Sequence, residues 1–164
     1  MVDYRQSLLA GRNVAPLTDS EIRRVVNTFM GLERNVPFRH GEGERTRCRV
    51  YIEDGDTLCE VVFGADIFPG TSVVDPNSSL SMQAAAAHEL THYHRWLNKT
   101  ELDGENLVEI DEALTSLEAV LRYSSSLNET EVKQLVADAI QRLQLFAQKL
   151  LNSHAPEASG SEKE

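Results

Sequence analysis

Residues 88–92 read His-Glu-Leu-Thr-His, and side chains of these types at this spacing can bind a metal and use it. On a helix, His88 and His92 lie one turn apart on the same face, near enough to bind one ion. Neutral imidazole nitrogens in this arrangement suit zinc. Glu89 points about 100° further around the helix, so it borders the metal without having to bind it. The motif therefore predicts zinc ligands at His88 and His92, with Glu89 as the general base.

A catalytic zinc site takes three protein ligands and keeps one position open, so a third ligand must come from elsewhere in the chain. A histidine six residues after His92 would complete one common motif, but that position holds Asn98. Glu112 follows His92 by 20 residues (112 − 92), in a segment that reads Asp-Glu-Ala, and this spacing resembles the thermolysin-type zinc peptidases. We therefore predict Glu112 as the third ligand. The competing carboxylates in this region are Asp103, Glu105 and Glu109.

These assignments predict peptide hydrolysis, in which zinc activates a water molecule and Glu89 takes its proton and later passes it to the leaving amine. Thermolysin-type enzymes carry an aspartate four residues after the glutamate to orient the first histidine, whereas this chain has Ser116. We therefore expect the partner of His88 to be Asp111, Thr115 or a backbone carbonyl. The oxyanion formed on the carbonyl needs a further donor. The candidates for it are Tyr93, His94, His40 and Tyr123.

The sequence around the motif predicts the elements that must hold it in place. Thr18 and Glu21 form a capping box that opens the first helix. Alternating polar and apolar residues over 45–63 predict a β-hairpin with its turn at 53–56. An alanine-rich segment favours the helix that carries the motif. Helices are predicted at about 19–33, 82–97, 107–127 and 131–151. We expect an α+β fold in which a small antiparallel sheet packs on helices.

Length, charge and cysteine content limit the class of protein. The 164 residues predict a single domain at 1–152, followed by a disordered acidic tail at 153–164 that has too few apolar residues to fold. The net charge of −10 argues against a protein that coats nucleic acid or an anionic membrane. No apolar run is long enough to span a bilayer and no leader is evident, so we expect a cytoplasmic protein. Cys48 and Cys59 are expected to be reduced core thiols, with a thiolate that caps the zinc as the alternative.

A hairpin, a loop, a helix with Ala-His-Glu-Leu-Thr-His and a helix that begins Asp-Glu-Ala together resemble the ImmA/IrrE family of small bacterial metallopeptidases over about residues 20–125. The resemblance implies a single-lobed, zincin-like core with C-terminal helices, and a site-specific cut in a helix-turn-helix transcriptional repressor during stress. The short chain with its acidic end is most similar to members encoded beside such a repressor in CBASS anti-phage systems. After Glu112 the family usually continues Ala-Asn, whereas this chain continues Ala-Leu, which favours a divergent branch.

Two further expectations concern the two strands of the hairpin. Its return strand, 58–63, directly precedes the motif helix and is expected to be an exposed edge that pairs with an extended substrate. Arg45, Arg47 and Arg49 share one face of the other strand and predict a site for phosphate or a single-stranded nucleic acid such as single-stranded DNA, with Tyr51 and Phe38 available for stacking. A solvated strand face is the alternative.

A non-catalytic protein, stabilised by its metal and acting as an antitoxin or a regulatory partner, is the competing interpretation of the motif. A structural zinc site normally fills all four positions with protein ligands and has no use for a general base. The presence of Glu89 therefore favours the enzyme.

Overall fold

The computed structural model describes residues 11–70 and 79–154, and within these ranges the chain forms a small sheet and four longer helices, an α+β arrangement. The predicted tail at 153–164 falls, from residue 155 onward, outside the described residues. In chain order the elements are α1 (Asp19–Leu32), β1 (Phe38–His40), β2 (Arg47–Glu53), β3 (Asp56–Phe63), α2 (Met82–Leu97), α3 (Val108–Arg122) and α4 (Glu129–Ser153).

The predicted hairpin is present, and its turn chemistry explains how tightly it closes. β2 and β3 pair antiparallel with Glu53 opposite Asp56, so two residues connect them. Those residues, Asp54 and Gly55, both have positive φ angles, of 51° and 89°. This is the conformation that matches the twist of a two-residue hairpin, and Asp and Gly are residues that adopt it readily. The hairpin at 45–63 is thereby confirmed.

The expected wholly antiparallel sheet is wrong, because β1 adds a parallel strand. The strand order is β1-β3-β2, and β1 pairs with β3 in parallel, with Phe38 opposite Val61. Three residues are too few for an alternating pattern to predict such a strand. β3 is consequently the central strand, so the expectation that 58–63 forms an exposed edge is also wrong. β2 takes an edge position instead.

The core lies between the sheet and the helices α1 and α2. Phe29 of α1 stacks on Phe38 and Phe63, with ring centroids 4.9 and 5.8 Å apart. Ala84 and Ala87 of α2 are fully buried, and their small side chains let neighbouring elements approach the motif helix closely. The capping box predicted for α1 is present, and Ser81 caps α2 by accepting a hydrogen bond from the amide of Ala84.

Polar contacts tie α3 to its two neighbouring helices. Arg95 of α2 is buried and donates to Asp111 and Glu118 of α3. α3 and α4 run antiparallel, since Glu109 near the start of α3 pairs with Lys149 near the end of α4. None of the described helices is long and apolar enough to cross a bilayer.

Candidate metal centre

The three side chains that the sequence nominates as ligands come together between α2 and α3. His88 Nε2 lies 3.1 Å from His92 Nε2 and 3.1 Å from Glu112 Oε2, while His92 Nε2 lies 3.3 Å from Glu112 Oε1. These three residues form a group that could hold a metal ion. His88 is buried and the other two are half-buried, so the group faces a partly enclosed space.

The rival carboxylates stand outside this group. Asp103 and Glu105 are exposed, in the segment before α3. Glu109 is buried, with 3 % of its surface exposed, and its carboxylate is paired with Lys149. One helical turn separates Glu109 from Glu112, and only the latter reaches the histidines among the described carboxylates.

Ser116 is the partner of His88, and it is not one of the three that the sequence suggested. His88 Nδ1 lies 2.9 Å from Ser116 Oγ, and Ser116 Oγ in turn donates to Asp138 Oδ2 at 2.6 Å. Asp111 instead accepts from Arg95, and the hydroxyl of Thr115 donates to the backbone carbonyl of Asp111. The expectation for this contact was therefore wrong.

The direction of these hydrogen bonds fixes the tautomer of His88. A serine hydroxyl has one hydrogen, and a carboxylate can only accept, so the hydrogen of Ser116 points to Asp138. Ser116 Oγ must then accept from His88, which places the imidazole hydrogen on Nδ1. The other ring nitrogen, Nε2, is left with its lone pair facing the two remaining ligands.

This tautomer makes the donor set fit a zinc ion. His88 Nε2 and Glu112 Oε2 are both acceptors and face each other at 3.1 Å, an arrangement that a positive charge beside them stabilises. A tetrahedral zinc about 2.0–2.1 Å from each ligand sets the ligand atoms about 3.3–3.4 Å apart. The observed separations of 3.1–3.3 Å lie close to that spacing.

The pKa shifts of Glu112, His92 and Glu89 have different causes. Burial opposes a charge on Glu112, but the positive charges of His92 and Arg142 outweigh it and hold its pKa well below the ordinary range. Burial also opposes a charge on His92, and the carboxylate of Glu112 outweighs it and raises the pKa of His92 to about 9. For Glu89, burial prevails over the two histidines and raises the pKa. A carboxylate with a raised pKa is a stronger proton acceptor.

A cavity of about 590 Å³ opens beside the group. The side chains of Glu89 and all three candidate ligands line it, and so do Cys48 and Val50 of β2. The apolar face predicted for β2 is therefore not core along its length, since Val50 is 50 % exposed and Ile52 is 76 % exposed. An extended segment lying along β2 would pass directly by Glu89.

The four candidates for the oxyanion donor do not appear among the described residues that line this cavity. His94 Nε2 lies 2.7 Å from Glu33 Oε2, and Tyr123 donates to the same oxygen at 2.7 Å. His40 packs against Phe63, with ring centroids 5.2 Å apart. Tyr93 lies edge-on to His94. These side chains hold elements together away from the candidate ligands.

Asp138 and Arg142, which are not among the residues predicted from the sequence, lie behind the ligands. Arg142 Nε donates to Asp138 Oδ2 at 2.8 Å, and Arg142 Nη1 lies 3.5 Å from Glu112 Oε2. A signal was present in α4, where Leu135, Asp138, Ala139 and Arg142 share one buried stripe. Charged residues on a buried stripe that also carries apolar side chains indicate buried polar contacts.

The arginines and the cysteines of the hairpin are paired. Arg47 contacts Glu44, and Arg49 contacts Glu60 at 3.2 Å and stacks on Tyr51. Cys48 Sγ lies 2.8 Å from Cys59 Sγ, and neither thiol belongs to the metal-binding group. The alternative in which a thiolate caps the zinc therefore gains no support from this arrangement.

The arrangement as a whole consists of three side chains that could hold a metal ion, with the carboxyl group of Glu89 beside them and a cavity in front of them. The elements that hold it are α2, α3 and α4, and β2 borders its entrance. Comparison with family models, with curated proteins and with solved structures finds no match for this chain.

Proposed function

We propose that this chain is a zinc-dependent endopeptidase that makes a site-specific cut in a partner protein. His88, His92 and Glu112 are its zinc ligands and Glu89 is its general base. The observation that carries the proposal is the convergence of His88 Nε2, His92 Nε2 and the carboxylate of Glu112 at 3.1–3.3 Å from one another, which is close to the spacing of ligand atoms around one zinc ion. Zinc bound there supplies a Lewis acid that polarises the peptide carbonyl and makes water a better nucleophile.

The residues of the chain supply the proton transfers and the substrate path. Glu89 borders the cavity with a raised pKa, so it can take a proton from the attacking water and give it to the leaving amine. The substrate lies extended along β2, because Cys48 and Val50 line the same cavity and an edge strand offers backbone groups for pairing.

The partner that we propose is a helix-turn-helix transcriptional repressor, cut during a stress or anti-phage response. The resemblance to the ImmA/IrrE family, carried by the Ala-His-Glu-Leu-Thr-His and Asp-Glu-Ala segments, supports this choice. The net charge of −10 also favours encounter with a basic, DNA-binding partner.

The test is co-expression with the protein encoded beside this chain, comparing wild type with Glu89→Gln by intact-mass spectrometry. We expect one metal-dependent cut with the wild type and none with Glu89→Gln, although the variant should still bind one zinc ion per chain. The competing hypothesis of a non-catalytic antitoxin or regulatory protein predicts the opposite. If Glu89→Gln retains the biological effect on the repressor, the peptidase proposal is wrong.

Single-stranded DNA is the proposed activator, through Arg45, Arg47 and Arg49. Arg47 and Arg49 already contact Glu44 and Glu60, so DNA phosphates would have to compete with these carboxylates. The triple Arg→Ala variant should lose binding of a fluorescent oligonucleotide at low salt while it keeps its zinc. A matched triple variant of exposed arginines elsewhere, Arg23→Ala with Arg24→Ala and Arg34→Ala, is the control. Equal binding by both variants would exclude the hairpin as the DNA site.

A further inference from the structure

Asp138 and Arg142 form a buried ion pair on α4, which is called here the Asp138–Arg142 pair. Asp138 exposes 1 % of its surface and Arg142 exposes 8 %. They stand one turn apart on α4, joined by the 2.8 Å hydrogen bond from Arg142 Nε to Asp138 Oδ2. Removing an ion pair of this kind from water costs free energy that its own attraction often fails to offset. Stability alone therefore does not explain the pair, and a role beyond holding α4 in place is expected.

One member of the pair acts on His88 through Ser116. Asp138 accepts the hydrogen of Ser116, and Ser116 in turn accepts the hydrogen on His88 Nδ1. Without an acceptor behind it, the serine hydroxyl is free to rotate and donate to Nδ1 instead. The ring hydrogen would then sit on Nε2, where it blocks metal binding.

The other member acts on Glu112. Arg142 Nη1 lies 3.5 Å from Glu112 Oε2, is buried and has no hydrogen-bond partner among the described residues. Arg142 also lines the cavity that the ligands face. A guanidinium in this place limits the directions in which the carboxylate can turn.

We propose that the Asp138–Arg142 pair is a positioning unit for the metal site, holding His88 through Ser116 and Glu112 directly. Two of the three ligands on α2 and α3 are thus oriented from a single turn of α4. The proposal rests on the proposed metal site, but it does not require that the protein cut peptides. It also gives a physical reason for Ser116, since a serine backed by a buried carboxylate supplies an acceptor at the place where the peptidases it resembles carry an aspartate.

The decisive variant is Asp138→Asn, which keeps the shape of the side chain. The new amide can donate to Ser116 Oγ, which releases the serine hydrogen toward His88 Nδ1. We expect zinc affinity to fall about 10- to 100-fold, measured by competition with a chromophoric chelator. Nitrogen-15 spectra of the histidine side chains should show the hydrogen of His88 moving from Nδ1 to Nε2.

The matched control is Glu109→Gln, which breaks the Glu109–Lys149 pair between the same two helices without contact to a ligand. It should lower the melting temperature and leave zinc affinity unchanged. In the Asp138→Asn background, Ser116→Asp places a carboxylate directly beside His88 and should restore affinity to within a few-fold of wild type. If Asp138→Asn fails to fold, Ser116→Ala tests the same link with the pair intact, and the same loss is expected.

Wild-type zinc affinity in both Asp138→Asn and Ser116→Ala would overturn the proposal. An equal loss in Asp138→Asn and Glu109→Gln would also overturn it, because that result assigns the pair to helix packing. A protein that binds zinc and shows the expected losses but never cuts the repressor would refute the peptidase and leave the positioning unit standing.

Discussion

A single hydroxyl hydrogen, that of Ser116, determines the chemistry of the candidate metal site. Its direction toward Asp138 makes the serine an acceptor for His88, and this leaves the lone pair of His88 Nε2 available for a metal. In the proposed mechanism Glu89, one residue further along α2, would need no such partner, because it would act on a water molecule and would not bind the metal itself. The proposed ligand His88 therefore has a hydrogen-bond partner that orients it, whereas the role proposed for Glu89 does not depend on one.

At the same scale, the two buried carboxylates of α3 can be tested against each other. Glu112→Gln removes the charge that faces His88 and His92, so zinc affinity should fall by a factor of 100 or more, on the order of 3 kcal/mol. Glu109→Gln should leave zinc affinity unchanged but cost about 1–2 kcal/mol of stability, because Lys149 loses its partner. Chelator competition and urea unfolding measure the two quantities. The reverse result would make Glu109 the third ligand.

At the scale of elements, the carboxylate of Glu33 joins three helices. It follows the end of α1 and accepts hydrogen bonds from His94 of α2 and from Tyr123, which follows α3. Burial opposes its charge, but these hydrogen bonds outweigh burial and lower the pKa of Glu33. The helix that carries the motif is in this way anchored on the side that faces away from the candidate ligands.

The lowered pKa sets the sign of a pH effect. A carboxyl that ionises more readily in the folded chain contributes stability above its unfolded pKa, and that contribution disappears as pH falls through the folded pKa. We expect Glu33→Gln to be about 1 kcal/mol less stable than wild type at pH 7, with the difference shrinking below pH 4. Urea unfolding at several pH values measures it, and the exposed Glu53→Gln is the control. A difference that grows toward low pH would contradict this account.

The short strand β1 determines which strand of the hairpin lies at the edge of the sheet. β1 pairs with β3 over three residues and thereby converts the return strand of the hairpin into a central strand. β2 is left beside the cavity, with Val50 and Ile52 exposed. Their exposure, which is unfavourable for a core strand, suits a strand that receives an extended apolar segment from a partner.

For the whole molecule, a bound metal would join helices that otherwise meet through side chains alone. Ligands on both α2 and α3 mean that zinc stabilises the folded chain over the unfolded chain. At a free zinc concentration about 100-fold above the dissociation constant, the gain is about 2.7 kcal/mol, or roughly 5–10 °C in melting temperature.

Calorimetry with and without a strong chelator measures this gain. Wild type should melt about 5–10 °C lower in the chelator, whereas His88→Ala should melt at the same temperature in both conditions. Equal melting temperatures for wild type would mean that no metal binds at this site.

The helices could be predicted from the sequence and the sheet order could not. The capping boxes before α1 and α4 and the alanines of α2 are local signals, and the structure places α2 at the residues expected, Met82–Leu97. The strand β1 depends on a partner about 20 residues away, which no local pattern reveals. The candidate ligands followed from helical spacing, whereas the roles of Ser116 and Asp138 depend on how α4 packs against α3.

The position of Asp138 and Arg142 late in the chain has a consequence for synthesis. A ribosome makes both histidines and Glu112 well before it makes α4, and N-terminal segments generally begin to fold first. A nascent chain that already contains every proposed ligand therefore lacks the helix that orients two of them. If the positioning unit is needed for tight zinc binding, the proposed metal site forms only once α4 has docked, so an unfinished chain would lack any activity that depends on the metal.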